Sequence, residues 1–110
     1  MQVLNLAQDV QFSIDVKNVG DQSHKCAANK MATSQYTGRL VDGTQFDSGT
    51  FSFMVGVGKV IKCWDVAFEQ MNVQEVATVT CPSWMAYGDK QVGPIPPNST
   101  LIFDIHVLQC

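Results

Sequence analysis

Alternation of apolar and polar residues predicts short β-strands at both ends of the chain. Residues 10–17, VQFSIDVK, alternate as a half-buried strand does, whereas residues 1–9 show only weak periodicity and are expected to form a loose leader. Residues 18–30 are rich in turn-forming Gly, Asp, Ser and Asn, so a surface loop is expected there. Asn29 can support a left-handed turn in that loop.

A hairpin is predicted in the middle of the chain. The segments MATSQYTGRL and TQFDSGTFSFMV flank Asp42-Gly43, a pair of residues typical of two-residue hairpin turns. In the second segment Phe51 and Phe53 are two residues apart, which places both rings on one face of the sheet. That face is expected to be buried.

One amphipathic helix of about three turns is predicted after the hairpin. Ile61, Trp64, Phe68 and Met71 follow one another at spacings of three, four and three, with polar residues between them. Such spacing places all four side chains along one face of a helix.

Two further strands complete the pattern. EVATVTC predicts one strand, Pro82-Ser83 begins a short turn, and a Pro-rich loop leads to the last strand, LIFDIHVLQC. Alternate residues of that last strand share an apolar face, which is expected to meet Trp64 and Phe68. The fold class predicted is α+β, with a five- to six-stranded antiparallel twisted sheet wrapped over one short amphipathic helix.

Length and charge narrow the class of protein. A chain of 110 residues suits a single domain over 1–110 with one core. Its net charge is -3 and its basic residues are scattered, which argues against a nucleic-acid partner. No stretch approaches 18 apolar residues, so neither a membrane span nor a secretory signal is expected, and a cytoplasmic location is predicted.

The four cysteines carry no metal-binding pattern. Cys26, Cys63, Cys81 and Cys110 form no CxxC pair, and the two histidines are far apart in the sequence, so no metal site is expected. Because no export signal is visible and a core of this size does not need disulfides, buried free thiols are expected.

Four blocks of sequence resemble the FKBP family of peptidyl-prolyl cis-trans isomerases. They are YTGRLVDGTQFDS, FSFMVGVGKVIKCWD, CPSWMAYGD and IPPNSTLIFDI, and they occur in the family's order over about two thirds of the chain. A single such block would mean little, whereas four in order are specific.

The resemblance implies an aromatic pocket that encloses a prolyl ring. It implies that Trp64 forms the floor of the pocket and that Asp47 and Tyr87 are its polar members. It also implies that the Tyr87 hydroxyl and the backbone N–H of Ile61 donate hydrogen bonds to ligand carbonyls. The implied walls and lining are Tyr36, Phe46, Phe51, Phe103, Val60, Ile61 and Ile95. Taken singly, each of these aromatic residues could equally be ordinary core, and Asp47 an ordinary turn residue.

The function implied is isomerisation of Xaa-Pro bonds in peptides and proteins, without a cofactor. Binding of a macrolide of the rapamycin class is also implied. The alternative is a non-catalytic FKBP-like scaffold or subunit of a protein complex, because a fold does not fix a function. Only residues 48–50 separate Asp47 from Phe51, where the family usually has a longer loop, so the pocket rim is expected to be trimmed on that side. Trp84 is a candidate for an interaction surface.

Overall fold

The computed structural model describes residues 11–110, and the leader expected over 1–9 lies outside them. Within this range the chain forms seven strands, one α-helix and one short 3-10 turn. In chain order these are β1 (Ser13–Asn18), β2 (Asp21–Lys25), β3 (Met31–Leu40), β4 (Gln45–Met54), α1 (Lys62–Phe68), β5 (Asn72–Val73), β6 (Val76–Cys81), the 3-10 turn (Ser83–Met85) and β7 (Leu101–Gln109).

Five of the strands form one antiparallel sheet in the order β1, β6, β7, β3, β4. Strands β2 and β5 form a separate two-stranded antiparallel ladder. The long strand β3 pairs with both β4 and β7, so the hairpin predicted around Asp42-Gly43 lies beside the last strand of the chain. The predicted α+β class, a twisted antiparallel sheet against a single helix, is confirmed for the described residues.

The inner face of the sheet is apolar, because every second residue of its central strands is buried on that face. Leu101, Phe103, Ile105 and Val107 of β7 are buried, and the residues between them are only partly so. Strand β6 alternates in the same way. The sequence predicted this face of β7 correctly, since a period of two is the direct signature of a strand with one buried side.

Helix α1 packs on that inner face through aromatic side chains. Phe68 meets Phe53 of β4 edge-on, with ring centroids 4.8 Å apart, and Trp64 lies 5.4 Å from Phe68. The helix has seven residues, about two turns instead of the three predicted, because the chain leaves helical geometry after Glu69. Met71 is nevertheless fully buried just beyond the helix.

The stretch 18–30 is not the continuous loop that its polar composition predicted. Residues Asp21–Lys25 form β2, whose five residues are all exposed and therefore carry no apolar alternation. The strand exists because it pairs with β5, about fifty residues later in the chain. Asn29 does adopt the expected left-handed conformation, with φ of 70°.

The expectation of free thiols is wrong. Cys26 is joined to Cys110 and Cys63 to Cys81, with Cα separations of 5.3 and 5.7 Å, inside the usual range for a disulfide. The four residues come together only through the sheet, so their distant positions in the sequence gave no sign of the pairing. The first disulfide fixes the end of β7 to the loop before β3. The second fixes the first turn of α1 to the end of β6.

The two disulfides should stabilise the fold unequally. Their partners are 84 and 18 residues apart in sequence. Loop-closure entropy then predicts roughly 4.5 kcal/mol for Cys26–Cys110 and roughly 3 kcal/mol for Cys63–Cys81. Denaturant unfolding of the Cys26→Ala/Cys110→Ala and Cys63→Ala/Cys81→Ala double variants measures this order. An equal or larger loss for the second pair would contradict it.

Candidate functional site

A cavity of about 280 Å³ opens beside the N-terminal end of α1, between the helix and strands β3, β4 and β7. Six of its ten lining residues are aromatic, two are aliphatic and two carry a charge. The lining residues are Tyr36, Phe46, Asp47, Phe51, Lys59, Val60, Ile61, Trp64, Tyr87 and Phe103.

Trp64 forms the base of the aromatic cluster. Its side chain is only 5% exposed. Tyr36 and Phe103 approach the indole edge-on, with centroid distances of 5.1 and 5.3 Å, and Phe51 approaches it at 6.2 Å. Edge-to-face contacts of this kind stabilise aromatic pairs beyond the burial of their area. Side chains from three strands of the sheet therefore hold the indole ring in place.

The indole N–H of Trp64 is buried and has no hydrogen-bond acceptor among residues 11–110. Its surroundings are rings and aliphatic groups of the core cluster. The floor of the cavity is consequently formed mainly by apolar groups, which have a low capacity to solvate charge, and the unpaired indole N–H is a polar exception.

The wall formed by Phe46 and Phe103 depends on a glycine. The two rings meet edge-on at 5.7 Å, and both lean over Gly38 of β3. A Cβ atom at Gly38 would lie 2.6 Å from Phe46 Cζ and 2.9 Å from Phe103 Cε1. Any side chain there would displace both rings, so the glycine makes room for this wall.

The cavity rim is open on the side of β4. Strand β4 runs without interruption from Gln45 to Met54, paired to β3 through residues 48–50, so no loop rises there. Phe51 is 45% exposed as a result, although its ring stacks on the buried Phe53 at 6.1 Å. Tyr87, on the loop after the 3-10 turn, is 39% exposed. Residues 48–50 therefore belong to a strand at this side of the cavity.

Two polar groups form one hydrogen-bonded pair in the cavity. The Tyr36 hydroxyl donates to Asp47 Oδ2 at 2.7 Å, and the Ser48 backbone N–H donates to Asp47 Oδ1 at 2.9 Å. Burial, together with the hydrogen bond to Asp47 and its charge, raises the pKa of Tyr36 to about 12. Tyr36 accordingly stays protonated at neutral pH.

The loop before α1 is held by the helix that follows it. Asp65 accepts hydrogen bonds from the backbone N–H groups of Gly56 and Gly58, at 2.8 and 3.0 Å. Ile61 lies at the helix start, where its carbonyl accepts from the Trp64 N–H at 3.0 Å. The Ile61 N–H has no hydrogen-bond acceptor within the described residues.

All but one of the ten predicted site residues line this cavity. The exception is Ile95, which is buried in the core, where it pairs through its backbone with Val92. Three residues that shape the site, Lys59, Gly38 and Asp65, were not predicted from the sequence. All three lie inside blocks that carried the resemblance. A glycine between pocket aromatics was a signal for Gly38, whereas no pattern distinguished Lys59 or Asp65 from other charged residues.

Within the described range, no three His, Cys, Asp or Glu residues are grouped as metal ligands would be. The same part of the chain contains no helix with the length and apolarity needed to cross a membrane.

Comparison with known proteins agrees with this architecture. The family model described as FKBP-type peptidyl-prolyl cis-trans isomerase matches residues 22–108. FK506-binding protein 1 of Saccharomyces cerevisiae is 41% identical over 102 residues, which cover 87% of this chain and 90% of the yeast protein. The crystal structure of AtFKBP13 superposes with a TM-score of 0.84 at 31% identity, covering 88% of this chain and 90% of that one.

The chain therefore belongs to the FKBP-type peptidyl-prolyl cis-trans isomerase family. A further relative is peptidyl-prolyl cis-trans isomerase FKBP4 of Rattus norvegicus, 40% identical over 100 residues. The match covers 86% of this chain but only 22% of the rat protein, so the chain spans about a fifth of that relative's length.

Gly38→Ala should damage both the cavity and the fold. The added methyl group meets two rings at less than van der Waals distance, and such overpacking costs about 1–3 kcal/mol of unfolding free energy. Denaturant unfolding measures that loss. Gly43→Ala is a comparison with open space around its Cβ, although its φ of +94° adds backbone strain of its own. Unchanged stability of Gly38→Ala would show that the rings move freely.

The raised pKa of Tyr36 should make the fold less stable in strong base. The ordinary tyrosine pKa is 10.0 and that of folded Tyr36 is about 12. Between these values the unfolded chain has lost the proton that the folded chain keeps, so stability falls as the pH rises through this window.

Denaturant midpoints measured from neutral pH into this window test the effect. Tyr36→Phe should show a shallower decline than the wild type. Tyr87→Phe should keep most of the wild-type decline, because the charge of Tyr87 is the smallest of the causes that raise the pKa of Tyr36. Identical slopes for Tyr36→Phe and the wild type would contradict the assignment.

Proposed function

We propose that the protein is an active peptidyl-prolyl cis-trans isomerase whose catalytic site is the cavity over Trp64. The observation that carries the proposal is the enclosure of the cavity by aromatic side chains from β3, β4, α1 and β7. Its volume, about 280 Å³, suits a small cyclic side chain better than an extended peptide. Family membership supports the same reaction.

The physics of the reaction requires only such a cavity. Rotation about the bond before proline crosses a barrier of about 18–20 kcal/mol, because resonance across the bond is lost when it twists. The twisted form places less negative charge on its carbonyl oxygen than the planar forms do. Removal from water therefore costs the twisted form less free energy than it costs the planar forms, and an apolar cavity lowers the barrier. A site that prefers the twisted form by about 1.4 kcal/mol accelerates rotation about tenfold.

Hydrogen-bond donors at the cavity would orient the peptide. In this proposal the Tyr87 hydroxyl and the Ile61 N–H donate to substrate carbonyls, since both groups belong to lining residues. Tyr36 and Asp47 are already bonded to each other at 2.7 Å, so their role is to present a fixed polar edge. Trp64, Phe46, Phe51 and Phe103, with Val60, would enclose the prolyl ring.

Macrolide binding and the nature of the partners belong to the same proposal. Two fungal relatives carry the name FK506-binding protein 1, and a macrolide of that class would occupy the cavity that a prolyl ring uses. Peptides and proteins that contain proline are the proposed substrates. We also propose that residues 1–110 form a single domain, which agrees with the single core cluster of the described residues.

The cellular compartment is a separate question. The sequence predicted a cytoplasmic location, and the two disulfides weigh against it. Disulfides persist in oxidising compartments and are rare where thiols are kept reduced. We therefore propose that the folded protein works in an oxidising compartment.

An isomerase assay on a peptide with one Xaa-Pro bond tests the main proposal. We expect turnover by the wild type and a loss of at least tenfold in kcat/KM for Trp64→Ala and Phe103→Ala, because each removes part of the apolar enclosure. Trp64→Ala could also unfold the chain, since truncation of a buried Trp costs about 3–5 kcal/mol. Phe51→Ala, at a half-exposed position, is the variant that should keep the fold while it weakens turnover.

Trp84→Ala is the matched control, because Trp84 is 65% exposed and does not line the cavity. It should retain wild-type turnover. A folded wild type without turnover would leave the scaffold alternative. Macrolide titration followed by Trp64 fluorescence, in a Trp84→Phe background, then shows whether the cavity is open to ligands.

A further inference from the structure

Lys59 is the one lysine or arginine among the residues that line the cavity. It is exposed at the rim, between Gly58 and the half-buried Val60. Its backbone position is set by the two hydrogen bonds that Asp65 accepts from Gly56 and Gly58. A loop fixed in this way holds the lysine at the cavity mouth while the four-carbon side chain keeps its freedom.

The Lys59 ammonium has no ion-pair partner within residues 11–110. The salt bridges of that range join Lys17 to Asp15, His24 to Asp21, and Arg39 to Asp104.

Two acidic residues beside this site, Asp47 of the cavity wall and Asp65 of the helix, are already hydrogen-bonded. Asp47 accepts from the Tyr36 hydroxyl and from the Ser48 N–H. Asp65 accepts from two backbone N–H groups. These hydrogen bonds hold both carboxylates in place, whereas no acidic side chain of residues 11–110 is paired with the Lys59 ammonium. A carboxylate of a bound peptide therefore reaches Lys59 without breaking an ion pair of the described residues.

We propose that Lys59 determines specificity, and that the site prefers peptides with an acidic side chain directly before or after the proline. The inference rests on the proposed function and names its substrate class. A carboxylate next to the prolyl ring is within reach of a long lysine side chain at the cavity mouth. The same ammonium would disfavour a basic residue at that position.

The size of the preference follows from the exposure of Lys59. Exposed ion pairs contribute about 0.2–1 kcal/mol, and a contribution in the upper part of that range, about 0.4–1 kcal/mol, gives a preference for Glu over Gln of about two- to fivefold. Salt screens exposed charges, with a Debye length of about 10 Å at 0.1 M, so the preference should decline as salt is added. A preference based on shape would not change with salt.

The experiment uses capped peptides with a single proline. The peptides differ only in whether Glu, Gln or Lys stands directly before the proline, or directly after it in a second series. For each peptide, kcat/KM is measured at low and high salt with the wild type, Lys59→Gln and Lys59→Glu. We expect the ratio of Glu to Gln to be about two to five for the wild type, near one for Lys59→Gln, and below one for Lys59→Glu. Because each ratio is taken within one variant, changes in general activity cancel.

Lys30→Gln is the matched control, since Lys30 is also exposed, carries the same charge and does not line the cavity. It should keep the wild-type ratio. A wild-type ratio near one, or one that Lys59→Gln leaves unchanged, would overturn the proposal.

Peptide affinity separates this proposal from the proposed function. If the Gln peptide is bound but not turned over, isomerase activity is refuted, and the ratio of the Kd values for the Glu and Gln peptides then decides the role of Lys59. The Glu peptide should then bind about two to five times more tightly than the Gln peptide to the wild type, and about equally to Lys59→Gln. If the Gln peptide is turned over and the ratio is one, only the specificity proposal fails.

Discussion

Contact between one indole ring and the aromatic side chains of the sheet joins the fold to the site. Trp64 belongs to the short helix, yet its neighbours Tyr36, Phe51 and Phe103 come from three different strands, at centroid distances of 5.1 to 6.2 Å. A domain of ordinary stability has only about 5–15 kcal/mol to lose. Because truncation of a buried Trp removes a large part of that, the residue that forms the cavity floor is also one of the residues that hold helix and sheet together.

Rigid supports surround that contact. The Cys63–Cys81 disulfide attaches the residue next to Trp64 to the end of β6, and Asp65 fixes the loop that precedes the helix. Tyr36 and Asp47 restrain each other across β3 and β4. A cavity that is shaped before the substrate arrives has little ordering entropy to lose on binding. A preformed cavity of this kind is what the proposed isomerisation by desolvation would require.

The parts of the fold that could be predicted from the sequence are those that bury one face of a strand or helix. The alternation in β7 and β6 predicted both strands, and the spacing of Trp64 and Phe68 predicted the helix, because burial of one face leaves its period in the sequence. Strand β2 left no such period, since all its residues are exposed and it depends on a distant partner, β5. The length of α1 was overestimated because Met71 continues the apolar spacing after the helix has ended.

The family, the antiparallel sheet over one helix, and nine of the ten residues predicted for the site could be inferred from residue type and local order alone. The folded chain was needed to show the pairing of the four cysteines, the core position of Ile95, the room that Gly38 leaves for Phe46 and Phe103, and the place of Lys59 at the cavity mouth. Each of these depends on how separate strands and loops pack against one another. Such packing exists only after the strands have paired.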